Sequence, residues 1–156
     1  MKHIKAPQPY FRQGSHPTVF LAGSIEMGSA EKWQDKVVRE LDSYKGLILN
    51  PRRDDWDSSW KQEASNEQFS QQVKWELNGL ARADIIAMYF DPSTKSPITL
   101  LELGLHAKSH KVFVCCPDGY FRQGNVEITC SVYSVPFFTV YDEWVIAIKS
   151  EIETYS

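Results

Sequence analysis

A glutamate set among leucines is the residue of this chain whose type and surroundings most favour chemistry. Glu102 lies in the run Leu-Leu-Glu-Leu-Gly-Leu, which spans residues 100–105. A glutamate in such a run is often the solvent side of an amphipathic helix. Here the adjacent residues on both sides are apolar, which favours a segment buried on several faces. A buried charge costs free energy unless it is hydrogen-bonded or used, so Glu102 is a candidate functional carboxylate.

Two other acidic residues, Glu76 and Asp91, are candidates whose role the sequence pattern leaves open. Glu76 lies on a predicted helix between Lys74 and Asn78, and these polar neighbours on their own favour a solvated face. Asp91 follows a predicted strand and precedes a proline. It either contacts a bound ligand or forms an ordinary Asp-Pro turn, and the residues leave both readings open.

The elements that must position these groups alternate between strand and helix. The predicted strands are Thr18–Ala22, Gly46–Asn50, Asp84–Tyr89, Lys111–Cys116 and Phe137–Val140. The predicted helices are Ser29–Asp42, Gln68–Ala81, Pro97–Ser109, Val126–Tyr133 and a last one from Asp142, with Ser29 as a possible cap. This alternation predicts an α/β protein: a single-domain, flavodoxin-like three-layer sandwich with a five-stranded parallel sheet. We expect a polar N-terminal lead over residues 1–17 and the domain over residues 18–156.

Ligands of such sheets bind at the carboxyl ends of the strands, close to the point where the strand order reverses. The long polar stretch Arg52–Asn66 follows the second predicted strand and contains Trp56 and Trp60. Structureless stretches of this length inside a compact domain are often functional. Flat indole rings suit a flat substrate, so we expect Trp56 to contact one, and we include the preceding Asp55 with it.

The composition excludes several classes of partner. The chain has 156 residues and a net charge of −3, which gives no indication of nucleic-acid or membrane binding. Three cysteines cannot all pair with one another, and two of them are adjacent in an apolar run, so we expect reduced thiols and a cytoplasmic protein. The four histidines are not arranged with carboxylates as metal ligands, so we expect no metal and no cofactor.

Several short motifs occur in the order in which one known family has them. They are Phe20-Leu-Ala-Gly-Ser-Ile25, Asn50-Pro-Arg-Arg-Asp-Asp-Trp56, Glu76-Leu-Asn-Gly-Leu-Ala-Arg-Ala-Asp84, Phe90-Asp-Pro92 and Ser96-Pro-Ile-Thr-Leu-Leu-Glu-Leu-Gly-Leu-His-Ala107. Together they resemble the nucleoside 2-deoxyribosyltransferase superfamily, in particular its deoxyribosyltransferase-like branch. The resemblance runs from about residue 18 to residue 136.

The resemblance implies a role for several residues. It makes Glu102 the nucleophile and Glu76 the group that hydrogen-bonds or protonates the departing base. Gly23 and Ser24 correspond to the loop whose amides approach the sugar, although any tight turn needs small residues there. Asn125 corresponds to an asparagine that family members lend to a neighbouring subunit. Its position after a glycine also suits a turn or a helix cap.

Three departures from the family pattern leave the reaction open. Phe20 stands where the family often has a tyrosine that hydrogen-bonds the nucleophile. Ser96 stands where the transferases have an aspartate that binds the 5'-hydroxyl group. A serine at this position resembles the related 2'-deoxynucleoside 5'-phosphate N-hydrolases. Asp91 is close enough in sequence to substitute for that aspartate. The family's C-terminal carboxylate also reaches the site, and whether Ser156 does so here is open.

We therefore weigh three functions. The first is a nucleoside 2'-deoxyribosyltransferase that forms a deoxyribosyl-glutamate intermediate and passes the sugar to a second base. The second is an N-glycosidase of 2'-deoxynucleosides or their 5'-monophosphates, in which water takes the place of that base. The third is a nucleotide-sensing module without turnover. For the enzymes, the expected partners are a deoxynucleoside, a free base and further copies of the chain, in a homo-oligomer with shared active sites.

Overall fold

The computed structural model describes residues 1–12, 14–25 and 32–155. Within these residues the chain forms a six-stranded parallel sheet and five α-helices. The strands are β1 (Lys2–Lys5), β2 (Thr18–Gly23), β3 (Leu47–Asn50), β4 (Ile85–Tyr89), β5 (Val112–Cys115) and β6 (Phe137–Phe138). The helices are α1 (Trp33–Glu40), α2 (Glu67–Arg82), α3 (Pro97–His106), α4 (Gln123–Val132) and α5 (Tyr141–Glu153), and a short 3₁₀ turn, Ala107–Ser109, follows α3. The predicted cap Ser29 and the terminal Ser156 lie outside the described residues.

The sheet has six strands, so the expectation of five is wrong. The additional strand is β1, which pairs in parallel with β3 from Lys2 opposite Leu47 to Lys5 opposite Asn50. It lies in the segment that we expected to be a polar lead. Of its four residues only Ile4 is buried. Lysines at an edge strand discourage pairing with other chains, and they also hide the strand from a hydrophobicity pattern.

The strand order is β1-β3-β2-β4-β5-β6, with every neighbouring pair parallel. Helices cover both faces, which explains why β2 to β5 are almost continuously apolar. One face carries α2, α3 and α4 over a core that includes Phe20, Met88 and Phe90. The other face carries α1 and α5 over a core that includes Leu21, Trp33 and Trp144.

The chain reverses its direction across the sheet next to β2. From β2 it moves outward to β3, and it then returns to β4 on the other side of β2. A reversal of this kind leaves a crevice at the carboxyl end of the sheet, between the ends of β2 and β4. Glycine is required at the end of β2, because a Cβ on Gly23 would collide with the carbonyl oxygen of Tyr89 and lie 2.8 Å from the Trp33 ring.

All three cysteines are free and buried, which confirms the expectation of reduced core thiols. Burial is the main reason why the pKa of Cys115, Cys116 and Cys130 rises to about 12. Across the described part of the chain, none of the helices has the length and apolar character needed to cross a membrane.

Candidate active site

A cluster of hydroxyl groups bridges the crevice between the loops that follow β2 and β4. Thr94 Oγ1 lies 2.9 Å from Ser24 Oγ and 2.7 Å from Ser96 Oγ, and the two serine hydroxyls are themselves hydrogen-bonded. Ser24 Oγ also accepts the backbone N–H of Asp91 at 2.9 Å. All three hydroxyl residues are buried. The cluster fixes the two loops against each other, so Ser24 and Ser96, both predicted substrate residues, meet at one place.

Asp91 lies in the same crevice, and part of its carboxylate is occupied locally. Its Oδ1 accepts the backbone N–H of Ser93 at 2.8 Å and the Ser93 hydroxyl at 2.7 Å. This is the aspartate-initiated turn that was the alternative reading of the Asp-Pro sequence. The geometry supports that local role, and the predicted contact of Asp91 with a sugar stays a prediction.

Ser96 begins α3 and thereby sets the direction of the helix that carries Glu102. Its backbone is left-handed, with φ of 45°, and Pro97 follows at the first position of the helix. Proline is favoured there because a first-turn residue has no intrahelical partner for an N–H. One face of α3 then buries Thr99, Glu102 and Leu103. Residues three and four apart share a helix face, so Glu102 points into the protein together with Thr99.

Glu102 is a buried carboxyl group with an unusually high affinity for its proton. Only 8% of the residue is exposed. Burial, and to a smaller extent the charge of Glu76, raises the pKa of Glu102 to about 8. Loss of water around a carboxylate disfavours the charged form, and a second negative charge nearby adds to the effect. The residue is therefore not on a solvated face, and the arrangement is that of two coupled acids.

Glu76 belongs to the same acidic pair and is held by its own helix. Gln72, one turn earlier on α2, donates from Nε2 to Glu76 Oε1 at 2.8 Å. Burial raises the pKa of Glu76, and the Gln72 hydrogen bond opposes that rise. Helix α2 packs close to the sheet because residue 79 is a glycine. A Cβ at that position would lie 2.6 Å from the Phe20 ring. Phe20 itself is fully buried and has no polar group to offer to Glu102.

The loop after β3 gathers an arginine, an aspartate and two tryptophans. Arg53 forms a two-point contact with Asp55, from Nε to Oδ1 and from Nη2 to Oδ2, both at 2.9 Å. The Arg53 guanidinium lies over the Trp60 ring at 4.9 Å, and Trp56 packs edge-on against Trp60 with ring centroids 5.2 Å apart. Asp55, a predicted substrate residue, thus contacts Arg53. Trp56 is partly buried within this cluster.

Asn125 is the predicted site residue that lies apart from these contacts. It is exposed on α4, where its backbone carbonyl accepts the Thr129 hydroxyl at 2.7 Å. Its predicted contribution to a neighbouring subunit is not tested by a single chain. The structure therefore joins Ser24, Asp91 and Ser96 in one cluster, pairs Glu76 with Glu102, and groups Asp55 with Trp56.

Three residues of these clusters were not predicted from the sequence: Thr94, Gln72 and Arg53. A usable signal existed for Gln72, since it stands four residues before Glu76 and so shares its helix face. Thr94 and Arg53 lie in polar loops, where a pattern of residues does not indicate which side chains are buried. Among the residues that the structure describes, no group of three or more His, Cys, Asp or Glu side chains could hold a metal ion.

Comparison with known proteins adds one finding to this geometry. A family model described as nucleoside 2-deoxyribosyltransferase like matches residues 16–120, which include both acidic residues and the hydroxyl cluster. No individual curated protein matches the chain.

Proposed function

Because the chain belongs to the nucleoside 2-deoxyribosyltransferase-like family, we propose that it cleaves the N-glycosidic bond of 2'-deoxynucleosides and transfers the sugar to a second base. The observation that carries this proposal is the pair formed by buried Glu102 and half-buried Glu76, in which each group has a raised pKa. Coupled carboxyl groups with raised pKa values are typical of glycosidic-bond cleavage, where one acts as nucleophile and the other as acid. The flavodoxin-like class is part of the proposal, supported by the strand order on both sides of β2.

The acidic pair can divide the reaction between its two members. The reactive form of the pair carries its proton on Glu76 and leaves Glu102 ionised. In that form Glu102 attacks the anomeric carbon while the C–N bond breaks, and the base leaves with the proton from Glu76. The product is a deoxyribosyl ester of Glu102. A second base then attacks the same carbon and passes its proton to Glu76, and the ester bond breaks to restore Glu102. Two displacements at one carbon give net retention of configuration.

A second candidate function rests on Ser96. The residue is a neutral hydroxyl at the start of the ten-residue helix α3, with the Ser24 and Thr94 hydroxyls beside it. An aspartate there would repel a 5'-phosphate, whereas a serine does not, and a helix N-terminus favours an anion. In this N-glycosidase water attacks the glutamyl ester, and the products are the free base and deoxyribose 5-phosphate.

The test is an incubation of purified protein with deoxynucleosides and with their 5'-monophosphates, each with and without a second free base, read by chromatography. New deoxynucleoside that forms only with the acceptor base supports the transferase. Base released equally without acceptor, fastest from monophosphates, supports the N-glycosidase. Binding without any turnover would contradict both and favour a sensing module. Glu102→Ala serves as the control in every reaction.

We also propose that the chain self-associates and shares its sites. α3 exposes Leu101 and Leu105, each 58% accessible, and α4 exposes Ile128 and Val132, at 66% and 68%. Exposed apolar residues on adjacent helices are typical of an interface. Asn125 is exposed on α4, the helix that would meet a neighbouring copy.

Mixing two inactive variants tests this arrangement. If Asn125 completes a neighbour's site, Asn125→Ala and Glu102→Gln are each inactive as homo-oligomers. Refolding them together creates some sites in which both wild-type residues are present, so activity returns to a fraction of the wild-type level. Light scattering gives the oligomeric state in parallel. A monomer that is fully active would contradict the proposal.

A further inference from the structure

The loop between β3 and α2 and the adjoining face of α2 include buried atoms without a hydrogen-bond partner. Among the described residues, Gln72 Oε1, Arg53 Nη1 and Trp56 Nε1 are buried and unpaired. Such atoms are rare, because a buried polar atom that is left without a partner keeps the free-energy cost of its lost water. Gln72 is 4% exposed and the Arg53 side chain 5% exposed, so bulk water does not readily replace the missing partner.

The direction of the Gln72 amide is determined by its neighbours. Its Nε2 donates to the Pro51 carbonyl at 2.8 Å and to Glu76 Oε1 at 2.8 Å, which uses both of its N–H groups. Reversing the amide would place oxygen against two acceptors, so Oε1 is the atom that remains available. It can only accept a hydrogen bond. The partner that it lacks is therefore an N–H or O–H donor.

Arg53 and Trp56 have the opposite requirement. Asp55 takes Arg53 Nε and Nη2, and Trp60 covers the guanidinium, so Nη1 is the nitrogen that remains. The indole Nε1 of Trp56 is also a donor only. Arg53 lies two residues and Trp56 five residues after Pro51, whose carbonyl accepts the hydrogen bond from Gln72. Hydrogen bonds thus connect Glu76 through Gln72 to the Pro51 carbonyl at the start of this loop, and the charge of Glu76 acts on Glu102.

We propose that these three side chains recognise the lactam edge of a nucleobase, that is, a ring N–H beside at least one carbonyl oxygen. Guanine, hypoxanthine, thymine and uracil present this edge. Adenine and cytosine present an amino group next to an unprotonated ring nitrogen, which reverses the polarity. Gln72 Oε1 accepts the ring N–H, and Arg53 Nη1 and Trp56 Nε1 donate to acceptor atoms of the base. The inference rests on the proposed function, since it assigns the base that the same site takes.

The test separates base recognition from turnover. Free hypoxanthine, uracil, adenine and cytosine are titrated into the full-length Glu102→Gln variant by calorimetry, and base exchange is measured with the wild-type protein for the same four bases. We expect hypoxanthine or uracil to bind at least tenfold more tightly than its amino counterpart, because the wrong base leaves buried polar groups unpaired. Exchange should show the same preference.

Two adjacent arginines supply a matched pair of variants. Arg53→Met should reduce the preference for lactam bases to near unity, and Gln72→Met should do the same. Arg52→Met removes an equal charge next to Arg53, but Arg52 contacts Gln34 at 3.4 Å instead, so the preference should be unchanged. Thermal melts confirm that each variant is folded. If Arg53→Met unfolds, Arg53→Lys keeps the charge and removes the two-point contact with Asp55.

Each outcome decides one claim. Exchange that depends on Glu102 but does not distinguish hypoxanthine from adenine would overturn the lactam inference and leave the proposed function standing. Selective binding of lactam bases without any turnover would support the inference and contradict the enzyme. Equal effects of Arg52→Met and Arg53→Met on the preference would overturn the assignment to Arg53, as would a preference for the amino bases.

Discussion

Helices α3 and α5 are of similar length and pack on opposite faces of the same sheet, yet they distribute their side chains in opposite ways. α5 buries Trp144, Val145, Ile148 and Ile152. α3 buries Thr99 and Glu102 with Leu103, and exposes Ile98, Leu101 and Leu105. Burial of apolar surface accounts for the position of α5, whereas the position of α3 places a carboxyl group in the interior and leucines in water.

The difference shows that α3 is not placed for stability alone. A buried carboxyl group with a raised pKa lowers the stability of the native state at any pH at which the unfolded state would ionise it. Three exposed apolar side chains on one helix also lower solubility unless another surface covers them. Both costs fall on the helix that carries the proposed nucleophile. Functional sites are where proteins commonly bury charged groups and expose apolar ones against the requirements of stability.

The largest expected effect is the loss of catalysis in Glu102→Gln. The amide keeps the shape of the side chain but cannot form the glycosyl ester, so kcat should fall by about three to four orders of magnitude or more. Initial rates of base exchange measure it. Glu143→Gln, an exposed position on α5, is the control and should retain wild-type rates. Equal rates in wild type and Glu102→Gln would exclude Glu102 as the nucleophile.

The next effect concerns the core under α5. Trp144 is fully buried, packs against Trp33 and Tyr89 with ring centroids 6.0 and 6.1 Å away, and donates from Nε1 to the Phe113 carbonyl at 2.9 Å. Trp144→Ala should lower the free energy of unfolding by about 3–5 kcal/mol. Leu105→Ala on α3 removes an exposed apolar side chain and should change it by less than about 0.5 kcal/mol. Urea denaturation compares the two. Similar losses would show that Leu105 is covered in solution.

A smaller effect should appear in the pH dependence of stability. The folded pKa of Glu102, about 8, lies above its ordinary value of 4.5. Between those values the native state holds a proton that the unfolded state releases, so this contribution is full at low pH and is lost as the pH rises towards 8. Its slope is at most about 1.4 kcal/mol per pH unit.

Urea denaturation of wild type and Glu102→Gln at several pH values measures that slope. The stability of Glu102→Gln relative to wild type should increase from pH 5 to pH 8, because glutamine has no proton to lose. Glu143→Gln should keep a constant difference from wild type over the same range. A constant difference for Glu102→Gln as well would mean that Glu102 is ionised at an ordinary pKa.

The smallest effect on folding and a clear effect on assembly are expected from Leu105→Glu. The substitution places a charge on the exposed face of α3 and should change the unfolding free energy by about 0.5 kcal/mol or less. If that face is an interface, the variant should dissociate at concentrations at which the wild type is associated. Light scattering at several concentrations measures the change. An unchanged oligomer would place the interface elsewhere.

The sequence predicts most of the fold and the acidic centre of the site. Five strands and five helices were predicted within a few residues of their bounds, because each combines a regular hydrophobic period with a turn signal. β1 was missed since its single buried isoleucine stands among two lysines and a histidine. The burial of Glu102 was expected because its neighbours on both sides are apolar, and its expected role came from the family resemblance. The burial of Arg53 and Gln72 depends on tertiary contacts with Asp55 and Pro51, which sequence spacing does not contain.

The three buried thiols can be used to measure how often the core around them opens. Cys115 and Cys116 lie at the end of β5 and Cys130 on α4, and none reacts as a thiolate while its pKa remains near 12. A thiol reagent added to the native protein therefore modifies only molecules in which that part of the core has opened. The rate of labelling, resolved by mass for each cysteine, reports the free energy of local opening next to the site without any engineered probe.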